Sequence, residues 1–577
     1  MSLLAWPITL LMLVCMYPWA RWLLHRAEGT ALIPANNIVL LALTTLGLSI
    51  GLLSLVMLWM GLLGIRIDWR IAAVVCVGIG ASGFLARDKP YLLRDQALIA
   101  VPPRPLQEIA NVARIIIAVI VVLVLFNAVY WPFHRDDAVV IYASYGKTIA
   151  STGRLPVGQS YETYPMLVPL SYAFTHQAAG WVDEHLAALI PALLSVGVIG
   201  AAYLLGSELF SRSTGLIAAL LIAITPTFTQ WASAGYVDLP CGFFYGMSVM
   251  FLARHDRTRS WPDALLAGAM AGLAAWTKNS GLLIVGSIAA WVLYRWWMAH
   301  YSTEPRALTV NSILLIAGTF LVVAGPWYAR NLVMAGLLVP PTGWTSQAER
   351  TLPNLIPYIT DAQYYVVGWL FTAGLALTLW QIWRSRGRAS THVMLAIFHV
   401  PFFVIWWLLF SYEVRFLLVL MPVVAVMAAD AVQEAFRRVA PPQRFMWLRV
   451  ASLFLILLAF PAASVAVDFK FDLLRHPFMS DADKHRVTLG PRYDMALYLR
   501  TLPTGSKVWT QDLLLPYNAD GVPIMIGNWP NAAQLQPYDY WILSPGQSLP
   551  DWFGAATPIH IEGGYRLYKI THSGMNL

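Results

Sequence analysis

A chain of 577 residues that is 58% hydrophobic and only 12% charged cannot cover the surface of a water-soluble globule, so its length does not translate into several soluble domains. The formal charge of +8 sits in short loops between apolar runs, which suits the cytoplasmic side of a membrane and argues against nucleic acid as a partner. Cys15, Cys76 and Cys241 all fall within apolar segments and form neither a disulfide framework nor a CxxC metal pattern.

About fourteen apolar runs have the length of a membrane-crossing helix. They lie near residues 3–24, 37–64, 69–87, 112–131, 186–206, 214–230, 240–254, 262–277, 281–297, 309–327, 362–383, 392–410, 416–434 and 449–467. The first has no basic stretch before it and carries Arg21 and Arg26 after it, so it reads as a retained anchor and not as a cleaved signal peptide. With the N-terminus outside, strict alternation gathers the cations on the inside: Arg21 and Arg26; Arg87, Lys89, Arg94 and Arg104; Arg212; Arg254, Arg257 and Arg259; Arg295 and Arg306; Arg384, Arg386 and Arg388; and Arg437, Arg438, Arg444 and Arg449. Gaining or losing one helix would destroy this agreement.

Three stretches are expected on the non-cytoplasmic side. Residues 132–185 form a long first loop, within which 137–152 has an apolar face that suits a helix lying along the interface. Residues 328–361 are proline-rich and read as a mobile loop over a site. Residues 468–577 place turn signals between short apolar pieces such as SKVWT, DYWIL and YRLYKI, the pattern of a small α/β domain. The expected organisation is an N-terminal extension of three helices (1–111), a membrane domain (112–467) and a C-terminal domain (468–577). In fold class this is an all-α polytopic membrane protein with a small α/β extracytoplasmic domain.

The residues able to carry chemistry stand at outer helix ends. Asp136 and Asp137, in WPFHRDDAVVIY, diverge by about 100° if helical, so one can act as a general base while the other caps a helix. Asp238, just before Pro240, can face the same cavity or cap the helix that follows. Lys278, in TKNSG, is a cation in a tight outer turn, where an anionic ligand or lipid headgroups would account for it. Arg330, in PWYARN, and Arg415, in SYEVRF, suit a phosphate held by a planar guanidinium, with Trp327, Tyr328 and Tyr412 able to line a sugar or isoprenoid. Pairing of Arg415 with Glu413 is the plainer alternative. Tyr164, in YETYP, is a substrate-contact or interface-anchor candidate. His176, Asp183, Glu184 and His185 could in principle hold a divalent metal, although their spacing fits no zinc motif.

In order along the chain, RDDAVVIYASYGKTIASTGRLP, YPMLVPLSYAF, GYVDLPCGFF, TKNSGLLIV, PWYARN and SYEVRFLLVLMP resemble the GT-C glycosyltransferases. The protein O-mannosyltransferase and aminoarabinose-transferase-like members that use polyprenyl-phosphate sugars are most similar. The resemblance covers roughly residues 112–440 and implies that Asp136 is the base for the acceptor. Val139 and Tyr164 stand where many lipid-A-directed members carry Arg and Lys, which argues against aminoarabinose transfer to lipid A. The resemblance implies a polyprenyl-phosphate-linked sugar donor and a glycan, lipid or protein acceptor. It also implies a site on the periplasmic face of a bacterial inner membrane.

The expected reaction is an inverting displacement in which Lys278, Arg330 and Arg415 meet the carrier phosphate and Asp238, Tyr164, Tyr328 and Glu413 line the substrate. That chemistry requires no metal or other cofactor. A lipid or polysaccharide transporter is the alternative, but such proteins are expected to show repeats and midplane charges, and none are visible here. The alternation makes a direct prediction. A cysteine introduced near Ser573 reacts with an impermeant thiol reagent from outside, and one near Arg386 does not; the opposite labelling would invert the site assignment.

Overall fold

The computed structural model describes residues 2–27, 31–86, 104–157, 162–301, 308–339, 368–409, 413–439, 478–554 and 556–570, with scattered positions between 351 and 466. The chain divides into two compact units: residues 1–128 with 145–475, and residues 129–144 with 476–577.

The first unit is helical. Its helices are α1 (Ser2–Val14), α2 (Tyr17–Arg26), α3 (Ile38–Leu62), α4 (Trp69–Ser82), α5 (Arg104–Tyr130, whose last residues belong to the second unit) and α6 (Ser144–Thr152). They continue with α7 (Leu167–Ala179), α8 (Glu184–Leu209), α9 (Arg212–Ala223), α10 (Pro226–Ala232), α11 (Asp238–Thr258) and α12 (Trp261–Thr277). The series ends with α13 (Leu283–Tyr301), α14 (Val310–Ala335), α15 (Gly368–Arg384), α16 (Ser390–Leu409) and α17 (Met421–Val439).

Among the described residues eight helical segments are long and apolar enough to cross a membrane, and α9 with α10, bent by 68°, makes a ninth candidate. This is an integral membrane protein. Each of the first thirteen expected runs falls on helix. Several are too short or too charged to qualify by length and hydropathy: α12 and α15 have 17 residues each, and α11 carries Asp238, Arg254, Asp256 and Arg257. The last expected run, 449–467, lies almost wholly outside the described residues.

With no hydrophobic driving force between helices in lipid, close packing must come from small side chains. Gly268 and Gly272, one turn apart on α12, supply it. A Cβ on Gly268 would sit 2.4 Å from the Ile316 carbonyl oxygen of α14, and one on Gly272 would sit 2.7 Å from Val323. Gly242 does the same on α11, where a Cβ would approach the Leu418 carbonyl to 2.9 Å. The sequence reading passed over these glycines because their period is lost among many small residues.

Helix α14 corrects the expected boundary at 327. Pro326 is accommodated inside the helix, which continues to Ala335 and ends on Gly336 in the left-handed conformation, φ 71°. Tyr328 and Arg330 are therefore helical, and the proline-rich loop read from 328 begins later; most of 340–361 lies outside the described residues.

The helix ends test the alternation. Residues assigned to one side form a buried network. Arg254, 1% exposed, donates through Nη1 to the Ile33 carbonyl (2.6 Å) and pairs through Nε with Asp263 (3.0 Å). Thr258 donates to the other Asp263 oxygen at 2.7 Å. Glu208 accepts the backbone N–H groups of Leu32 and Ile33 and pairs with Arg257 at 3.4 Å. This ties the α2–α3 connection to the ends of α8, α11 and α12. At the opposite ends of α11 and α12 a second charged group assembles.

The second unit contains a five-stranded sheet of order β2-β1-β3-β5-β4: β1 (Val508–Thr510), β2 (Ile524–Ile526), β3 (Tyr540–Leu543), β4 (His560–Glu562) and β5 (Tyr565–Lys569). The first three strands are mutually parallel; β5 runs antiparallel to both β3 and β4. Alternate residues fill two cores. Tyr540 and Ile542 pack with Met495, Leu499 and Leu515, while Trp541 and Leu543 pack with Trp509, Phe553 and Tyr568. Three strands fall in the apolar pieces marked in the sequence. β2 and β4, edge strands of three residues each, carried too short a pattern to read.

Because the Arg254 network is buried, removing one partner strands the other. Arg254→Ala should cost about 3–5 kcal/mol, and Arg254→Ala with Asp263→Ala should cost less than the single change. Thermal unfolding of the purified protein in detergent checks both; a double variant worse than the single would remove the pair from the account.

Candidate active site

Asp238 is the first residue of α11, and its carboxylate is 1% exposed. It does not cap the helix; the N-cap position belongs to Val237, with no side-chain bond. The carboxylate is instead taken by two cations. Lys278 Nζ bonds Asp238 Oδ1, and Arg415 Nε lies 3.4 Å from Oδ2. Sequence reasoning singled out all three residues, and the fold brings them together.

Local structure explains how. Lys278 ends α12 in extended backbone, φ −153° and ψ 144°, before a single turn of 3-10 helix at Asn279–Leu282. Tyr328 supports that turn from α14: its hydroxyl lies 2.8 Å from the Ala275 carbonyl and 3.1 Å from Asn279 Oδ1. Tyr328 is buried, so its clearest contact is with the lysine turn. Arg415 is the second residue of a 3-10 segment, Val414–Leu420, that seats against Gly242 of α11, one turn beyond Asp238. Glu413 caps this segment by accepting the Arg415 backbone N–H at 3.0 Å, and its own carbonyl accepts Trp406 Nε1 at 2.9 Å.

Aromatic rings complete the cluster. Lys278 Nζ lies 3.9 Å from the Phe416 ring centre, and Arg415 Cζ lies 4.2 Å from Tyr236 and 5.3 Å from Trp231. Trp231, Tyr236 and Phe416 were not marked in the sequence as site residues, although two of them flank marked ones within two positions. Ring faces favour cations at these distances, so the rings and Asp238 together hold two like charges side by side. Among the described residues Lys278 and Arg415 both pair with the one Asp238 carboxylate. Lys278 is 18% exposed, more accessible than Asp238 or Arg415.

Arg330 is engaged differently. Its Nη2 donates to the Pro156 carbonyl at 2.9 Å, its Nη1 donates to the Glu162 carbonyl at 3.1 Å, and Cζ lies 4.6 Å over the Trp327 ring. Asn331 Nδ2 and Trp327 Nε1 both donate to the Thr163 carbonyl, at 2.9 and 3.2 Å. One turn of α14 thus grips the segment leading to Tyr164, which is itself half-buried. Tyr412 lies outside the described residues.

Asp136 and Asp137 belong to the second compact unit and open a helix. Asp136 is exposed and makes no hydrogen bond or ion pair among the described residues; Asp137 is half-buried. The helix runs through a π segment, Ala138–Ala143, in which Val139 is fully buried and Ser144 Oγ donates to the Val139 carbonyl at 2.7 Å. Such wide turns are rare and recur at functional sites.

The acid and histidine group at 176–185 serves a helix start. His176 Nδ1 accepts the Asp183 N–H at 3.2 Å, Asp183 caps α8 through Leu186 N–H at 3.0 Å, and burial pushes the His176 imidazole down to about 4. Among the described residues no three His, Cys, Asp or Glu side chains converge at metal-holding distance.

Residues 164–328 match the family described as dolichyl-phosphate-mannose-protein mannosyltransferase. This segment contains Asp238 and Lys278. No curated protein matches the sequence. Among solved structures, ArnT from Cupriavidus metallidurans in the apo state superposes with a TM-score of 0.55 at 16% identity, covering 82% of this chain and 100% of that one. The same protein bound to undecaprenyl phosphate gives 0.55 at 14% identity, covering 81% and 99%. The chain thus shares the fold of ArnT, and its central segment is similar to the mannosyltransferase family.

Proposed function

We propose that the chain transfers a sugar from a polyprenyl-phosphate carrier to an acceptor hydroxyl on a glycan, lipid or protein. We place the reaction at the non-cytoplasmic face of a bacterial inner membrane and assign it a single inverting displacement. The observation that carries this reading is the gathering of two cations, Lys278 and Arg415, on Asp238 at helix ends. A polyprenyl-phosphate sugar is a phosphodiester with one negative charge, and the carrier that departs has gained another. Preorganised cations in a poorly solvated site stabilise that gain more than water does. The similar fold that holds undecaprenyl phosphate supports the same donor class.

In the proposed step the acceptor hydroxyl gives its proton to the Asp136 carboxylate as its oxygen attacks the anomeric carbon. The bond from that carbon to the phosphate oxygen breaks, and its electron pair leaves with the polyprenyl phosphate. Lys278 and Arg415 meet the new charge, and Asp238 keeps the two cations together. Arg330 is the third cation in this scheme; its bonds to Pro156 and Glu162 suit it to hold the adjoining loop as well. A phosphate whose charge is met is already a good leaving group, so the step requires no metal.

Two outcomes test the scheme. Asp136→Asn should lower turnover by about two orders of magnitude or more while donor binding persists, because the amide keeps the shape but accepts no proton. Transfer of radiolabelled sugar out of the lipid fraction is the measurement, and near-normal turnover would move the role to Asp137. Asp238→Asn should destabilise the ligand-free protein by about 3–5 kcal/mol, since the buried Arg415 and the part-exposed Lys278 lose their counter-ion. Undecaprenyl phosphate should then raise the melting temperature of Asp238→Asn by more than that of the native chain, and that of Lys278→Gln by less. Equal ligand-induced shifts in all three proteins would take the phosphate away from this cluster.

A further inference from the structure

The turn between α3 and α4 carries a second concentration of positive charge, remote in sequence from the cluster above. Ile67 N–H donates to the Gly153 carbonyl at 2.8 Å, which sets Arg66 and Arg154 beside one another. Gly153, at φ 67°, leaves the space that Arg66 fills; a Cβ there would meet Arg66 Cγ at 2.6 Å and Nε at 3.0 Å. Arg70 follows in the first turn of α4, over the face of Trp69 at 5.6 Å. All three arginines are exposed, and none has an ion pair among the described residues.

The nearby acid is Asp68, whose carboxylate accepts the Arg70 backbone N–H at 2.8 Å as the cap of α4. Three guanidiniums against that one carboxylate leave two positive charges in excess. The alternation of spans puts this turn on the non-cytoplasmic side, where cations are otherwise sparse. Beside the arginines stand exposed apolar side chains: Leu63 at 67%, Ile65 at 48% and Val157 at 64%. Water would disfavour that apolar surface, and hydrocarbon alone would disfavour the arginines. The surface suits the boundary between the two, where an anionic headgroup sits above its acyl chains.

We infer that Arg66, Arg70 and Arg154 form a binding site for the phosphate headgroup of an anionic bilayer phospholipid, with Leu63, Ile65 and Val157 against its acyl chains. Guanidinium suits the role because its planar fork binds phosphate oxygens in pairs and sheds water more readily than an ammonium. The site is built on the α3–α4 turn, within the stretch that precedes the resemblance to known transferases, and gives that stretch a function. It also adjoins Pro156, whose carbonyl Arg330 holds, so an occupied site steadies the same loop from its other end.

The test uses the full chain purified in detergent and follows its melting temperature. Titrants are phosphatidylglycerol, phosphatidylcholine with the same acyl chains, and inorganic phosphate. Phosphatidylglycerol should stabilise the native chain at concentrations about tenfold below those that phosphatidylcholine requires. In the variant carrying Arg66→Gln, Arg70→Gln and Arg154→Gln, that preference should vanish while the response to phosphatidylcholine stays unchanged. Retention of the preference by the variant would overturn the site. Stabilisation of the native chain by inorganic phosphate to the same extent would overturn the lipid assignment, because the acyl contacts would then contribute nothing. If the triple variant is obtained unfolded, Arg66→Gln with Arg154→Gln alone should still reduce the preference, and an unchanged preference there refutes the proposal.

Discussion

The carboxylate of Asp238 is the constraint around which the first unit is organised. A buried carboxylate is costly unless its charge is met, and two cations side by side at a poorly solvated helix end are costly unless something holds them. Satisfying both demands fixes the start of α11, the end of α12 and the segment before α17 relative to one another. The backbone contributes through absent side chains: Gly242 admits the 3-10 segment carrying Arg415, and Gly268 with Gly272 admits α14, whose Tyr328 supports the Lys278 turn. Charge and close packing thus act on the same few helix ends.

The two charged groups of this unit differ in kind. Glu208, Arg254, Arg257 and Asp263 form a balanced set, two acids and two bases, closed by hydrogen bonds to Leu32 and Ile33. Such a set fastens connections and leaves no charge over for a ligand. The Asp238 group gathers two cations on one carboxylate, is lined with rings, and is part-exposed at Lys278. That contrast is why one end of the bundle reads as architecture and the other carries the proposed site.

Much of this was legible in the sequence because membranes impose simple rules. Apolar run length gave the helices, and a lysine or arginine at a helix end required a reason. Asp238, Lys278, Arg330 and Arg415 were marked on those grounds. Their partners were not, because pairing is a property of three-dimensional approach. Nothing in GYVDLP says that its acid meets a lysine forty residues later, and nothing in PWYARN says that its arginine faces the carbonyls of Pro156 and Glu162. Proline misled at 326, where a helix with neighbours tolerates what an isolated one would not. The short edge strands β2 and β4 were invisible for want of length.

Residues 129–144 share a compact unit with 476–577, although more than three hundred residues separate them in the chain. The segment bearing the carboxylate pair at 136–137 therefore groups with the C-terminal part of the protein. A shuffling of parts that exchanged only the last hundred residues would leave that short segment in the company of a stranger. Recombination that preserves the molecule must carry both pieces together, which makes the C-terminal region a poor candidate for a detachable module.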